Sequence, residues 1–214
     1  MSTHAYIKRM YSSKKQEICS RLKEFKKILL HKSDREMFEE LAFCILTPQS
    51  SAKACWDAIG RLKEQGLLFK GDAQQIGKCL YGVRFHNKKS EYIVRARKFF
   101  MNNGTVCMKS VLSQFRDICK CREWLVKNIK GLGYKEASHF LRNIGFGEKI
   151  AILDRHILKN LRQLGIIAEV PQSMSRTKYF QIEKNMVEFA RQIDIPVSHL
   201  DLLFWYKETG EIFK

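Results

Sequence analysis

Only three prolines interrupt the 214 residues, and no useful length of chain alternates apolar with polar side chains. So few breakers and no period-two pattern exclude a sandwich or barrel of short strands and leave an all-α fold as the expectation. No apolar run approaches membrane-spanning length. Residues 1–15 are basic but lack the apolar stretch of a signal peptide. The seven cysteines (Cys19, Cys44, Cys55, Cys79, Cys107, Cys119, Cys121) are odd in number, and no second pair joins the C-x-C of Cys119 and Cys121 at zinc-ligand spacing. They read as reduced, mostly structural thiols of an intracellular protein, in cytoplasm or nucleoid. Acidic residues are scarce too: 22 Asp+Glu stand against 39 Lys+Arg, a formal charge of +17. That excess suits a polyanionic partner, because neutralising phosphates releases counterions, although a solvated basic surface would show the same number. The basic residues are spread along the chain, from Lys14 and Lys15 to Lys88, Lys89, Arg95, Arg97 and Lys98.

What is present is helical periodicity. Ser33-Asp34-Arg35-Glu36 is a capping box, followed on one face by Met37, Phe38, Leu41, Ala42 and Ile45. A second helix is expected from about Ser50 to Gln65, with Cys55, Trp56, Ile59 and Leu62 inward and Gly66 as its stop. Ser90 opens another, carrying Ile93, Ala96, Phe99 and Phe100 to a stop at Asn102-Asn103-Gly104. Trp124, Leu125 and Ile129 mark a short helix before Gly131, and Ala137, Phe140, Leu141 and Ile144 its partner, stopped by Gly145. Later helices carry Ile157 to Leu164, then Phe180, Val187, Ala190 and Ile193, then Leu202, Leu203 and Tyr206. About ten one-faced helices suit a two-lobed bundle, with Gly145-Phe146-Gly147 as the passage between lobes.

The segment Ile129-Lys130-Gly131-Leu132-Gly133-Tyr134-Lys135-Glu136-Ala137 places a Gly-x-Gly turn between two helices. Glycine permits positive φ and close backbone approach, and amides at the start of the second helix can hold a phosphate. A plain αα-hairpin with a glycine turn is the competing account. Lys135 lies in the first turn, where the helix dipole disfavours a cation. It is either a phosphate contact or an amine tuned toward neutrality, the form that attacks a sugar carbon. Asp154, 19 positions on, follows an apolar tripeptide at a helix start. Its residue type suits an N-cap, and equally a carboxylate that steadies a cationic sugar-like transition state.

Lys130 to Asn143 (KGLGYKEASHFLRN), with Ala151-Ile152-Leu153-Asp154, resembles the helix-hairpin-helix-Gly/Pro-Asp superfamily of DNA glycosylases. Within it the chain looks most like the small 8-oxoguanine DNA glycosylase/AP lyases of archaea and some bacteria. Phe43 to Thr47, Lys89 with Glu91-Tyr92-Ile93, and Asp201 to Tyr206 through Gly210 to Lys214 extend the likeness from about Phe38 to the end. The resemblance implies an all-α, two-lobed fold with DNA held across a cleft and a damaged purine flipped into it. It implies one lobe over 33–147, with the hairpin at about 122–145, and a second over 1–32 and 148–214 carrying Asp154.

By the same resemblance, Lys135 attacks the sugar C1′, expels oxidised guanine and forms an imine whose β-elimination nicks the strand. Asp154 orients the lysine, takes up its proton and stabilises positive charge. Gly131, Gly133 and His156 contact phosphates. Gln49, in Thr47-Pro48-Gln49-Ser50, stands where relatives fill the gap left by the flipped base, in a loop closer to the endonuclease III branch. Trp205 and Lys214 belong to the base pocket, the terminal carboxylate accepting from the guanine edge. No cysteine follows Cys121, so no iron–sulfur cluster, and no other metal or cofactor, is expected. The implied partner is duplex DNA containing oxidised guanine, bound by a monomer away from membranes. A glycosylase of this fold for another oxidised base, and a non-catalytic helix-hairpin-helix binder, remain as alternatives; a pure binder has no use for an amine paired with an aspartate. His139 and His199 read as packing or surface residues, Trp56 and Trp124 as core, and Trp205 as either core or pocket.

Overall fold

The computed structural model describes residues 3–214, so the first two residues of the basic N-terminal stretch lie outside the described residues. The elements are α1 (Thr3–His31), α2 (Asp34–Leu46), α3 (Ala52–Glu64), α4 (Leu67–Lys70), α5 (Ala73–Cys79), α6 (His86–Phe100), β1 (Met101–Asn102), β2 (Thr105–Val106), α7 (Met108–Leu112), α8 (Ile118–Asn128), α9 (Tyr134–Asn143), a 3₁₀ turn (Gly147–Lys149), α10 (Arg155–Gln163), α11 (Arg176–Gln192) and α12 (Val197–Thr209). Among the described residues the fold is all-α apart from one small hairpin. No helix among the described residues is long and apolar enough to cross a membrane. Two compact units are present, residues 28–140 and residues 1–27 with 141–214. The divisions fall inside α1 and α9, whereas the sequence suggested 32/33 and the Gly145-Phe146-Gly147 stretch. The physical reason is that the stretch lies past the C-terminus of α9, where Gly145 closes that helix. The Gly145 amide bonds to Arg142 O and the Phe146 amide to Leu141 O, a Schellman turn with Gly145 at φ 95°. A Cβ on Gly145 would lie 2.9 Å from Lys26 Cα, so only glycine fits.

In the unit of residues 28–140, α2 is the central element. Its capping box forms as the sequence predicts, Ser33 accepting from the Glu36 amide and Glu36 from the Ser33 amide, and residues 37–46 are all buried. Phe43 receives Trp56 and His139 edge-on at 5.5 and 5.4 Å, which gives His139 a packing role. α6 begins at His86 rather than Ser90, because Phe85 takes a left-handed φ of 58° and starts the helix without a side-chain cap. Ser90 sits buried inside it, its hydroxyl donating to Asn87 O at 2.8 Å. Beyond α6 the stop at Asn103-Gly104 becomes an antiparallel hairpin, both turn residues at positive φ. Phe99 is 46% exposed instead of inward, and Trp124 is half-buried in a ring cluster with Phe99, Phe100 and Phe115. Trp56 is likewise half-buried. Burial pushes the Cys55 thiol up to about 11 and that of Cys121 up to about 12, so both behave as apolar side chains.

In the other unit, Ile7, Ile18 and Phe25 form the buried stripe of α1, a helix the sequence reading did not assign. In α11 the core position falls to Met186, and Val187 is 39% exposed. α11 also fixes the approach to α10. The Tyr179 hydroxyl donates to Ala151 O at 2.7 Å, and Glu183 Oε1 accepts from the Ala151 amide at 2.8 Å. With residues 150–153 buried, the extended stretch that delivers Asp154 is held from both its polar and its apolar sides.

Candidate active site

In the first unit the hairpin packs as its sequence requires. Leu132 is buried between the two glycines and plugs the turn into the core. Gly131 has φ 94°, and a Cβ there would lie 2.6 Å from Tyr92 Cδ2, so the ring of α6 requires glycine at this place. The Gly133 amide donates to Glu136 Oε2 at 3.1 Å, with glutamate at the third helical position reaching back to the cap. The sequence leaves the turn's amides as open donors, whereas this one is engaged by a side chain.

Lys135 follows in the first turn of α9, with its side chain 24% exposed. Its Nζ lies 3.0 Å from Glu136 Oε1 and donates to Thr47 Oγ1 at 3.3 Å, while Thr47 spends its own proton on Cys44 O at 2.9 Å. Glu136 therefore bridges hairpin amide and amine, offsetting the helix dipole at a cation. Thr47 belongs to the loop carrying Gln49, which is exposed and left-handed at φ 54°. Lys89 and Arg97, two of the basic residues spread along the sequence, are buried. Arg97 donates to Leu68 O and Gly71 O at 3.1 and 2.7 Å, holding α4 in place.

In the second unit Asp154 is the N-cap of α10. Its Oδ1 accepts from the amides of His156 and Ile157, both at 2.8 Å, leaving Oδ2 outside the cap. The backbone is extended there, φ −86° and ψ 178°, as an N-cap needs. The His156 ring stands edge-on to Trp205 at 5.1 Å, so these two predicted residues meet. His156 Nδ1 is 4.0 Å from Glu208 Oε2. Glu208 is also bonded by Lys159 at 2.6 Å and Asn160 at 3.1 Å, and its hydrogen bond from Lys159 holds it below the usual carboxylate range. Trp205 and Lys214 are both half-buried. In the same unit Asp201 accepts from Arg142 at 2.7 Å in a buried pair. Burial pushes Asp201 up to about 7, the Arg142 guanidinium opposing and the Asp154 charge adding to the shift. His199 accepts or donates at Tyr11 Oη, 2.9 Å away, which settles it as a packing residue of α1 and α12. Among the described residues no group of three His, Cys, Asp or Glu side chains is arranged to hold a metal ion.

The sequence places Thr47, Lys89, Glu136, Arg142 and Asp201 inside the stretches that carry the family likeness but gives none of them a role, and it does not single out Glu208. Only Glu136 carried a local signal, the third-position glutamate after a cap; the others act through contacts between distant segments.

The fold and these two clusters define a helix-hairpin-helix protein with a half-buried lysine in the first turn of its second hairpin helix. The family model described as Ogg-HhH, 8-oxoguanine DNA glycosylase, matches residues 18–195. The 8-oxoguanine DNA glycosylase/AP lyase of Fusobacterium nucleatum is 46% identical over 208 residues, covering 97% of this chain and 96% of that protein. The crystal structure of the Methanocaldococcus jannaschii 8-oxoguanine DNA glycosylase is similar with a TM-score of 0.86 at 38% identity, covering 100% of both chains. Another structure of that archaeal enzyme, in complex with 15mer DNA containing 8-oxoguanine, gives 0.86 at 39% identity over 98% of this chain and 100% of that one. This chain belongs to the 8-oxoguanine DNA glycosylase family.

Proposed function

We propose that the chain is a bifunctional base excision repair enzyme that removes 8-oxoguanine from duplex DNA and then cleaves the abasic site. The observation that carries this reading is the Lys135 amine, half-buried at a hairpin helix start and held between Glu136 and Thr47. A lysine serving only as a phosphate contact would need neither an adjacent buried carboxylate nor a hydroxyl acceptor.

The hairpin backbone at Gly131 and Gly133, with His156, grips phosphates; Gln49 fills the gap opposite the flipped base; Trp205 and Lys214 receive the base. The Lys135 amine forms a bond to C1′ as the C1′–N9 bond breaks, and the base leaves with that electron pair and takes up a proton. Of the two protons then on the nitrogen, one goes to the departing base and the other to O4′ as the C1′–O4′ bond breaks, leaving an imine between C1′ and the lysine nitrogen. Asp154, through the oxygen its cap leaves over, stabilises positive charge at the sugar and relays the amine's proton. Loss of a C2′ proton then expels the 3′ phosphate oxygen, and water hydrolyses the imine to restore Lys135. The family membership and the +17 charge support this reading. No metal or cofactor is called for. The protein acts as a monomer, in the compartment that holds the DNA.

Borohydride added during reaction with an 8-oxoguanine duplex reduces the imine to a stable amine, giving a covalent protein–DNA species on a denaturing gel. Lys135→Gln abolishes that species while retaining DNA binding. A wild-type protein that forms none with any oxidised base overturns the lyase assignment.

A further inference from the structure

Lys89 is only 4% exposed, on α6, where its charge cannot reach a phosphate in solvent. Its ammonium points instead into the loop after α2. It donates to Leu46 O and Pro48 O, both at 2.7 Å, and to Ser50 Oγ at 3.1 Å, so its three protons meet three acceptors within five residues. The same Ser50 hydroxyl accepts from the Arg84 amide at 3.0 Å, and the Ser50 amide donates to Thr47 O at 3.1 Å. The loop is thus tied at both ends and in the middle. Gln49 at its tip keeps a left-handed φ of 54°, a conformation that a non-glycine residue holds only when its surroundings impose it. Thr47, in the same loop, is the acceptor for Lys135.

We propose that Lys89 is a positioning residue: it fixes the 46–50 loop so that Gln49 is presented outward and Thr47 stays on the Lys135 amine. The role given to Gln49 rests on the proposed function; the anchoring itself does not. Keeping an ammonium here has a cost. Burial pulls Lys89 below the usual lysine range, Lys135 and Arg84 adding to this while Cys55 and Glu136 oppose it. A charged, three-handed donor is retained in an apolar setting because no neutral side chain supplies three protons to one loop.

The test compares wild type with Lys89→Met, Gln49→Ala and the double variant. Methionine fills the same volume, and Leu46 O and Pro48 O keep acceptor contacts from Cys55 Sγ and Ser50 Oγ. If thermal melting shows that Lys89→Met does not fold, Ser50→Ala replaces it in the same comparison. Hydrogen exchange at the Ser50 amide is expected to speed up roughly tenfold or more in the anchor variant. In excision from an 8-oxoguanine duplex, each single variant is expected to lower kcat roughly tenfold or more with a smaller change in KM. The double variant is expected to be no slower than the anchor variant alone. Additive losses, or an unchanged kcat in the anchor variant, would mean that Lys89 only supports the fold. Unchanged exchange at Ser50 overturns the anchoring whatever the enzyme does. Faster exchange in a protein whose wild type forms no borohydride adduct leaves the anchor standing and removes the glycosylase reading instead.

Discussion

Replacing Asp154 by asparagine and, separately, by alanine divides the two roles its residue type allows. Oδ1 accepts from two amides at 2.8 Å, and an asparagine carbonyl can take both without adjustment, since asparagine caps helices as well as aspartate does. Asp154→Asn should therefore change stability by no more than a few tenths of a kcal/mol. Asp154→Ala leaves both amides without the cap and should cost about 1 kcal/mol, or roughly 2–4 °C in Tm for a chain of this size. Catalysis should respond differently. Both variants lose the negative charge, and the loss of one preorganised electrostatic partner lowers kcat by about 100- to 1000-fold, equivalent to about 3–4 kcal/mol. The assay is single-turnover excision of 8-oxoguanine, read beside thermal melting of the same preparations. An asparagine variant that melts normally and excises at near wild-type rate would refute the reasoning and leave Asp154 as a cap alone.

Gly131→Ala should lower stability by about 2–3 kcal/mol, because it adds a methyl group 2.6 Å from Tyr92 Cδ2 at a φ of 94°; a denaturant melt that matches wild type would show that α6 can give way. Glu36 is held down to about 2, against an ordinary 4.5, by its hydrogen bonds from Lys32 and Ser33. Its folded-state value is depressed, so wild type should exceed Glu36→Gln in stability above about pH 4.5 and lose that advantage as the pH falls through 2, as melts across that range would show. Removing Lys214 should impair 8-oxoguanine excision more than nicking of a pre-formed abasic site. Equal effects in the two gel assays would count against its place in base recognition.

Much of the helix map was readable because its signals are local. The capping box at Ser33 and Glu36, the stop at Gly66, the hairpin at 129–137 and the cap at Asp154 each depend on residues within one turn of each other. Elsewhere the local signal was weak, or burial and backbone geometry overruled it. Ser90 looks like a helix start, yet α6 begins at His86 and buries that serine. Val187 fits the helical period as well as Met186, and the packing of α11 selects Met186. α1 was missed because its stripe is sparse, with Ile7, Ile18 and Phe25 separated by 11 and 7 residues in a basic segment.

The candidate site divides along the same line. The sequence alone determined that an all-α chain carries a Gly-Leu-Gly hairpin, a lysine in the first turn beyond it and an aspartate at a later helix start, since backbone conformation and capping are short-range properties. Tertiary structure decided what surrounds those groups. It turned Lys89 from one of 39 basic residues into the buried anchor of a loop, and placed Thr47 on the Lys135 amine across 88 positions of sequence. It also set Asp201 and Arg142, 59 positions apart, as a buried pair close enough for Asp154 to influence. Desolvation and hydrogen bonding between distant segments depend on which surfaces meet, and no local pattern of residues encodes that.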